Sequence, residues 1–422
     1  VFSGIINAFR VPDLRKKILF TLFILVLYRI GAHIPVPGVD AAAIQATLES
    51  LPALGMLNLF SGDALSRMSV FALGVMPYIT AGIIMQLLQA AIPSLERLSK
   101  EGEAGKRKIT QYTRFLTIGI ATIEAVGFIG TVFSGAVAMS VLPRWLTVIV
   151  IVVTLVAGTA LIMWLAELIT QRGIGNGMSL LIFAGIVSRF PAALAETLLY
   201  GGTDWQNVAL TVLIIVSILV VIAAVIYIDR GQRRIPVNYA KRVVGRRVMG
   251  GTSTYIPLKV NGANVVPIIF ASAFLSIPAQ LALFINAEWF QGFAEAVTVG
   301  PINWIITFAL IVFFSYFYTA LVFNPIDLAD NLRQQGGFIP GVRPGGQTIK
   351  YIETVMNRIV LPGALFLGII AVGTSILFAA TNNPLIMQFG GTSILIMVGV
   401  ALETMTQIES QLKMRHYDGF FK

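Results

Sequence analysis

Hydrophobic positions in this chain do not alternate with polar ones. They run on in stretches of about 20 residues, and the polar residues collect between the stretches. Runs of about that length cross the roughly 30 Å hydrocarbon layer of a bilayer as α-helices. The period-2 alternation of a membrane β-barrel strand is absent. Ten spans are predicted, near residues 17–33, 71–91, 110–133, 145–170, 178–199, 207–228, 264–286, 302–323, 357–379 and 390–409. The implied fold class is an all-α polytopic membrane protein.

The basic residues orient the bundle. With the N-terminus inside, only Arg29, Arg67, Arg144 and Arg189 of the 30 Lys and Arg residues fall at or near the outer side. Both termini are therefore expected to be cytoplasmic. The opening stretch VFSGIINAFRVPDLRKK is read as cytosolic, not as a removed signal peptide. Ten spans divide five and five, into an N-terminal half at 1–200 and a C-terminal half at 201–422. An odd number in each sets the halves in opposite orientations, an arrangement used in transport proteins with the path at their interface.

Composition narrows the function. With 56% hydrophobic and 12% charged residues, the chain is no disordered segment, nucleic-acid-binding globule or ordinary cytosolic enzyme. It has no cysteine and only two histidines, His33 and His416, so no metal site, catalytic constellation or cofactor is expected. No phosphate-binding G-x-x-x-x-G-K-[ST] occurs, and any energy source is expected to lie outside the chain. RGIGNGMS at 172–179 joins two spans without a preceding strand, which predicts a tight inner turn. Carboxylates inside spans are few: Glu124 in the third, and Glu167 and Glu403 toward inner ends. Each is read as a local hydrogen bond or an interfacial position. A small-solute secondary transporter would need more ion-coupling groups at mid-depth. A membrane enzyme would need clustered acids, nucleophiles or ligands.

Three segments do not fit simple connectors. The loop at 229–260 holds eight Lys and Arg against Asp229 alone, and the loop at 324–356 is about as long. Their Tyr, Ile, Val and Pro content predicts ordered structure. Asn58–Ser69 is amphipathic, lies between Gly55 and Gly74 and precedes the second span. As a helix it would be roughly 18 Å long, too short to cross. A half-helix folding back beside a water-filled cavity and an amphipathic helix on the outer surface both fit.

Six stretches together resemble the SecY family of protein-conducting channels: LFSGDALSRMSVFALGVMPYITAGIIMQLL (59–88), LAELITQRGIGNGMSLLIFAGIV (165–187), RRIPVNYAKRVVGRR (233–247), YIPLKVNGANVVPIIFAS (255–272), NPIDLADNLRQQGGFIPGVRPG (324–345) and FGGTSILIMV (389–398). The resemblance implies two inverted five-helix halves forming a clamshell around an hourglass pore. It implies a plug formed by the short outer segment, with Asn58, Leu59, Phe60, Ser61, Gly62, Leu65 and Arg67. It places a ring of bulky apolar side chains at the waist, at Val75, Ile79, Met178, Ile182, Ile269 and Ile396, where Met178 stands for the more usual isoleucine. Val75/Ile79 and Met178/Ile182 are i, i+4 pairs, each on one helix face. Pro77 is expected to kink the second span beside the ring.

A sideways gate between the second and seventh spans is implied at Thr80, Ile83 and Gln86 opposite Ala273 and Ile277. Arg242, Arg246, Arg247 and Arg343 are implied to dock a ribosome or the SecA motor ATPase, although charges so placed also enforce topology and touch anionic lipid. The family's other partners are the SecE and SecG subunits, signal sequences, unfolded preproteins and membrane lipid. Its location is the bacterial inner (plasma) membrane.

Overall fold

The computed structural model describes residues 9–40, 43–44, 58, 61–132, 135, 137, 143–200, 205–239, 242–244, 247–249, 253–282, 284–285, 287–298, 300–381 and 392–418. Each of the ten predicted spans contains a helix. They are α1 (Pro12–Gly31), α2 (Met76–Ala91), α4 (Glu103–Gly127), α5 (Arg144–Arg172), α6 (Gly177–Tyr200), α7 (Trp205–Asp229), α8 (Val266–Ala282), α10 (Pro301–Val322), α12 (Gly346–Thr381) and α13 (Thr392–Asp418). Among the described residues three further α-helices join them, α3 (Pro93–Lys100), α9 (Glu288–Thr298) and α11 (Pro325–Gln334), and a π-helical turn (Phe128–Val132) follows α4. Among the described residues six helices are long and apolar enough to cross a membrane, or seven when the bent pair α2–α3 counts as one span. The other three predicted spans fall short for visible reasons. Helix α1 starts on Arg15, Lys16 and Lys17 and ends by Arg29, α8 has only 17 residues, and α13 turns polar beyond Leu402.

The second span departs from expectation at its start. Its apolar run begins at 71, yet the helix begins at Met76, because residues 62–75 are folded as turns. Gly62 and Gly74 take positive φ there (64° and 60°), which ends any continuous helix. Pro77 accordingly falls in the first turn of α2, where a missing N–H costs nothing, and it produces no kink. The sharp bend comes at the other end. Ile92, extended before Pro93, separates α2 from α3 at 102°.

The basic loops fold together. Strands β1 (Gln232–Tyr239), β4 (Ser253–Lys259) and β5 (Gly337–Phe338) form an antiparallel sheet in the order β4-β1-β5, with Ile235 opposite Ile256 and Tyr239 opposite Gly337. A separate hairpin pairs β2 (Arg242–Val244) with β3 (Arg247–Met249). Ile235, Val237 and Leu258 from the sheet, Ala329 and Leu332 from α11, Ile339, and Ile352 from α12 bury one small apolar core. Helix α12, roughly 54 Å long at 36 residues, exceeds the hydrocarbon thickness, and its first turns belong to this second core. The large core lies within the bundle and draws on α1, α2, α4–α8, α10, α12 and α13.

Candidate functional site

The waist residues come from four helices. Val75 caps the N-terminus of α2, Ile79 lies one turn later, Met178 and Ile182 open α6, Ile269 opens α8, and Ile396 lies in the second turn of α13. The Ile79 amide bonds the Val75 carbonyl at 3.1 Å, so these two side chains share a face. Val75, Ile182 and Ile396 are at most 1% exposed, and Ile79 and Ile269 are 7% exposed. All five belong to the same continuous apolar core, with Met178 partly buried against it. Helix α8 packs on both α2 and α13, and α13 packs on α6, which draws the four elements together.

A cavity of about 410 Å³ opens against this cluster. Ile79, Met178, Ile182 and Ile269 line it together with Phe270, Tyr78 and Tyr318. Gln86, Thr110, Glu167, Thr170, Gln171, Asn176 and Ser179 add polar groups to its wall, beside Gly82, Ala166 and Val266. Sequence reasoning did not find that polar lining. Its signal is the run of Thr, Gln and Asn side chains around the glycine-rich turn at 172–177. That turn is pinned by side chains: the Ile174 amide donates to Thr21 Oγ1 (3.0 Å), the Gly175 amide to Gln407 Oε1 (2.9 Å), and the Gly177 amide to Thr170 Oγ1 (2.9 Å). Asn176 Oδ1 then caps α6 by accepting from the Met178 amide at 3.1 Å. Beside the cavity, Arg114 of α4 grips Glu167 of α5 with two parallel hydrogen bonds, one of them 2.8 Å from Nε. Glu167 is thus a paired charge.

On the other side of the cluster lies the short segment. Leu59 and Phe60 are outside the described residues. Asn58 and Ser61 are helical, and from Gly62 the chain turns on itself, so the expected half-helix over Asn58–Ser69 gives way to a compact knot. Asn58 organises it: its Nδ2 donates to Asp63 Oδ1 (3.0 Å), and its Oδ1 accepts from the Ser66 amide (3.1 Å). Ser61 Oγ donates to the Asn58 carbonyl (3.1 Å) and accepts from the Leu65 amide (3.2 Å). Ala64, Leu65 and Met68 are buried in the large core, whereas Arg67 is exposed.

This segment is fastened to two helices. Arg29 Nη1 of α1 donates to the Gly62 carbonyl at 3.1 Å, and the Tyr28 hydroxyl reaches the Ser61 carbonyl at 3.4 Å. Arg189 Nε of α6 meets Asp63 Oδ2 at 2.8 Å. A Cβ on Gly62 would lie 2.7 Å from the Gly185 Cα, so only glycine permits this approach to α6. Sequence reasoning used Arg29 and Arg189 only as exceptions to the orientation rule. A cation on the wrong side needs a local reason, and that exception was the available signal.

Helices α2 and α8 pack side by side. Thr80, Ile83 and Ala273 are buried between their neighbours, while Gln86 and Ile277 are partly buried. Thr80 Oγ1, Ser272 Oγ and Gln86 Oε1 are buried without a hydrogen-bond partner among the described residues. At the basic end, Arg242 and Arg247 stand on the paired strands of the β2–β3 hairpin, directly opposite Met249 and Val244, and Arg246 lies outside the described residues. Arg343 is exposed after β5, and its carbonyl accepts from Thr348 Oγ1 at 3.0 Å at the start of α12. Arg234 covers the Tyr255 ring at 4.7 Å from its centroid.

A family model described as SecY matches residues 69–405. The protein translocase subunit SecY of Streptomyces scabiei is 49% identical over 439 residues, covering 100% of both chains. Among solved structures, one described as the structure of a protein conducting channel superposes with TM-score 0.66 at 20% identity, over 94% of this chain and 92% of that one. Sec61 in the canine ribosome-channel complex from the endoplasmic reticulum gives TM-score 0.62 at 18% identity, over the same shares.

Proposed function

The chain belongs to the SecY family, and from that premise we propose how its residues work as a protein-conducting channel. It is a multi-pass membrane protein that conducts polypeptide, and the transporter alternative is not favoured. The observation that carries the mechanism is that Ile79, Met178, Ile182 and Ile269, from three helices, line one cavity, with Val75 and Ile396 buried in the same apolar core.

With Met178 these residues form the waist ring. A hydrophobic constriction excludes water and ions when closed. Its side chains make no directional bonds, so they part around an extended polypeptide of any sequence. Met178 adds the most adaptable member, an unbranched thioether. The cavity is the vestibule on the basic side, and the polar groups on its wall hydrate an arriving chain. The knot around Asn58, Ser61, Gly62 and Leu65 is the plug on the far side. The halves 1–200 and 201–422 part along the α2–α8 seam, where Thr80, Ile83, Gln86, Ala273 and Ile277 form the lateral gate. A signal sequence or membrane helix leaves there into lipid.

The chain carries no active site in this reading, and energy comes from a partner. The sheet module with Arg242, Arg246, Arg247 and Arg343 docks the ribosome or the SecA motor ATPase through salt-dependent contacts. The likeness to a ribosome-bound channel supports the first of these partners. SecE clamps the halves and SecG lies peripherally. Both termini face the cytoplasm, and the membrane is the bacterial inner membrane. Proteoliposomes holding the purified complex test the reading. ATP- and SecA-dependent uptake of a signal-bearing preprotein is the expected result, and gradient-driven solute uptake without protein import would overturn it.

A further inference from the structure

We infer that the Asp63–Arg189 ion pair is a latch that sets how strong a signal must be to open the channel. This rests on the channel reading above. Four positions between Gly62 and Gly74 take left-handed backbone, and two of them are not glycine: Asp63 at φ 68° and Met68 at φ 41°. Side chains there carry strain that persists only where tertiary contacts hold it. For Asp63 those contacts are visible. Arg189 on α6 takes one carboxylate oxygen at 2.8 Å, and Asn58 donates to the other at 3.0 Å.

The ion pair is partly shielded, with side-chain exposures of 27% and 25%. Partial desolvation strengthens such a pair relative to one fully in water. Arg29 fixes the neighbouring Gly62 carbonyl from α1, and Gly62 lies on Gly185 of α6. The knot is therefore a strained segment tied on one side to two helices of the N-terminal half. Moving it off the waist breaks the Asp63–Arg189 contact and releases backbone strain together. The first effect opposes opening and the second favours it, and the ion pair adds to the hold of Tyr28, Arg29 and the Val36–Met68 backbone bond. Asp63 and Arg189 act through the position of the knot. They are positioning residues and touch no substrate.

Planar bilayers and proteoliposomes holding the purified channel complex test this. Asp63→Asn keeps an acceptor for Asn58 and a residue that tolerates left-handed backbone, while it removes the charge and turns an amide donor toward Arg189. Asp63→Asn and Arg189→Gln should each raise resting ion conductance about fivefold, the loss of one modest ion pair. The double variant should show no further rise. All three should import a preprotein whose signal sequence is too weak for the unaltered channel, while import of the intact preprotein stays the same. A structural defect alone would lower both. The chain has no cysteine, so Asp63→Cys with Arg189→Cys gives a pair unique in the chain, and a short bis-maleimide, which alkylates both thiols, should return its leak to the resting level. Should Arg189→Gln fail to fold, Asp63→Asn reads the same quantity. Unchanged conductance, or additive rises, with intact preprotein import would overturn the latch and leave the channel reading standing. Failure of the unaltered complex to import any preprotein would overturn the channel reading and the latch with it.

Discussion

Asparagine at position 79 or 396 would put an amide where the side chain is 7% or 0% exposed. An amide offers two donors and an acceptor, and burying them unpaired costs about 1–3 kcal/mol. Admitting water relieves that cost, and water in the waist is a leak. Ile79→Asn and Ile396→Asn are each expected to raise ion conductance in planar bilayers and to relax signal selectivity; an unchanged leak would count against the ring. The seam predicts the opposite sign. Thr80 and Ser272 hold buried hydroxyls with no partner among the described residues. Thr80→Val and Ser272→Ala remove that penalty, so each should stabilise the closed seam by about 1 kcal/mol. The readout is slower lateral release of a membrane helix into lipid, with resting conductance unchanged. Resemblance supplied a pattern that singled out Ile182 and Ile269, and both line one cavity. Residue roles were illegible where the role is a contact across the fold: nothing near Arg189 in sequence points to Asp63, more than a hundred residues earlier.

Among elements, the spans were legible and their ends were not. Apolar length alone finds α5 and α10, because hydrocarbon demands it. The start of α2 is decided by Gly62 and Gly74 backbone, and the sheet by pairing between Gln232–Tyr239 and a strand at Gly337 about a hundred residues on. Neither leaves a periodic trace. The five strands among the described residues lie outside the predicted spans, whose described residues are mainly helical. The α4–α5 contact carries its own prediction. Glu167 is the more buried partner of its ion pair, at 15% side-chain exposure against 44% for Arg114. Arg114→Ala therefore strands a shielded carboxylate, whereas Glu167→Gln leaves a guanidinium that water still reaches. The first should cost more, with the second limited to about 1 kcal/mol by solvent screening. The thermal inactivation temperature of the detergent-purified complex should fall further for Arg114→Ala. Equal losses would show that the pair is worth little to the fold.

At the scale of the molecule, two polar regions almost a hundred residues apart share one apolar core, distinct from that of the bundle. Ile235 and Val237 face Leu332, Ile339 and Ile352 within it, and Ile352 lies on α12, the helix that continues into the bundle. A partner pressing on the three-stranded sheet or on Arg343 therefore presses on a body continuous with a spanning helix. A push delivered to two independent flexible loops would dissipate in them. Ile352 is fully buried, and Ile352→Ala leaves a cavity worth roughly 2–4 kcal/mol in a small core. That is enough to loosen the module while leaving the waist, in the other core, intact. The variant should bind ribosomes more weakly at near-physiological salt and should lose SecA-driven import, though Ile352 carries no charge and touches no partner. Its resting conductance should equal that of the unaltered channel. Arg246→Glu with Arg247→Glu should weaken ribosome binding by removing the charge itself, and should leave the module as resistant to protease as before. Ile352→Ala should make the 229–260 and 324–356 segments cleavable. If Ile352→Ala is cleaved yet docks and drives import normally, the two loops act separately, and the shared core serves stability alone.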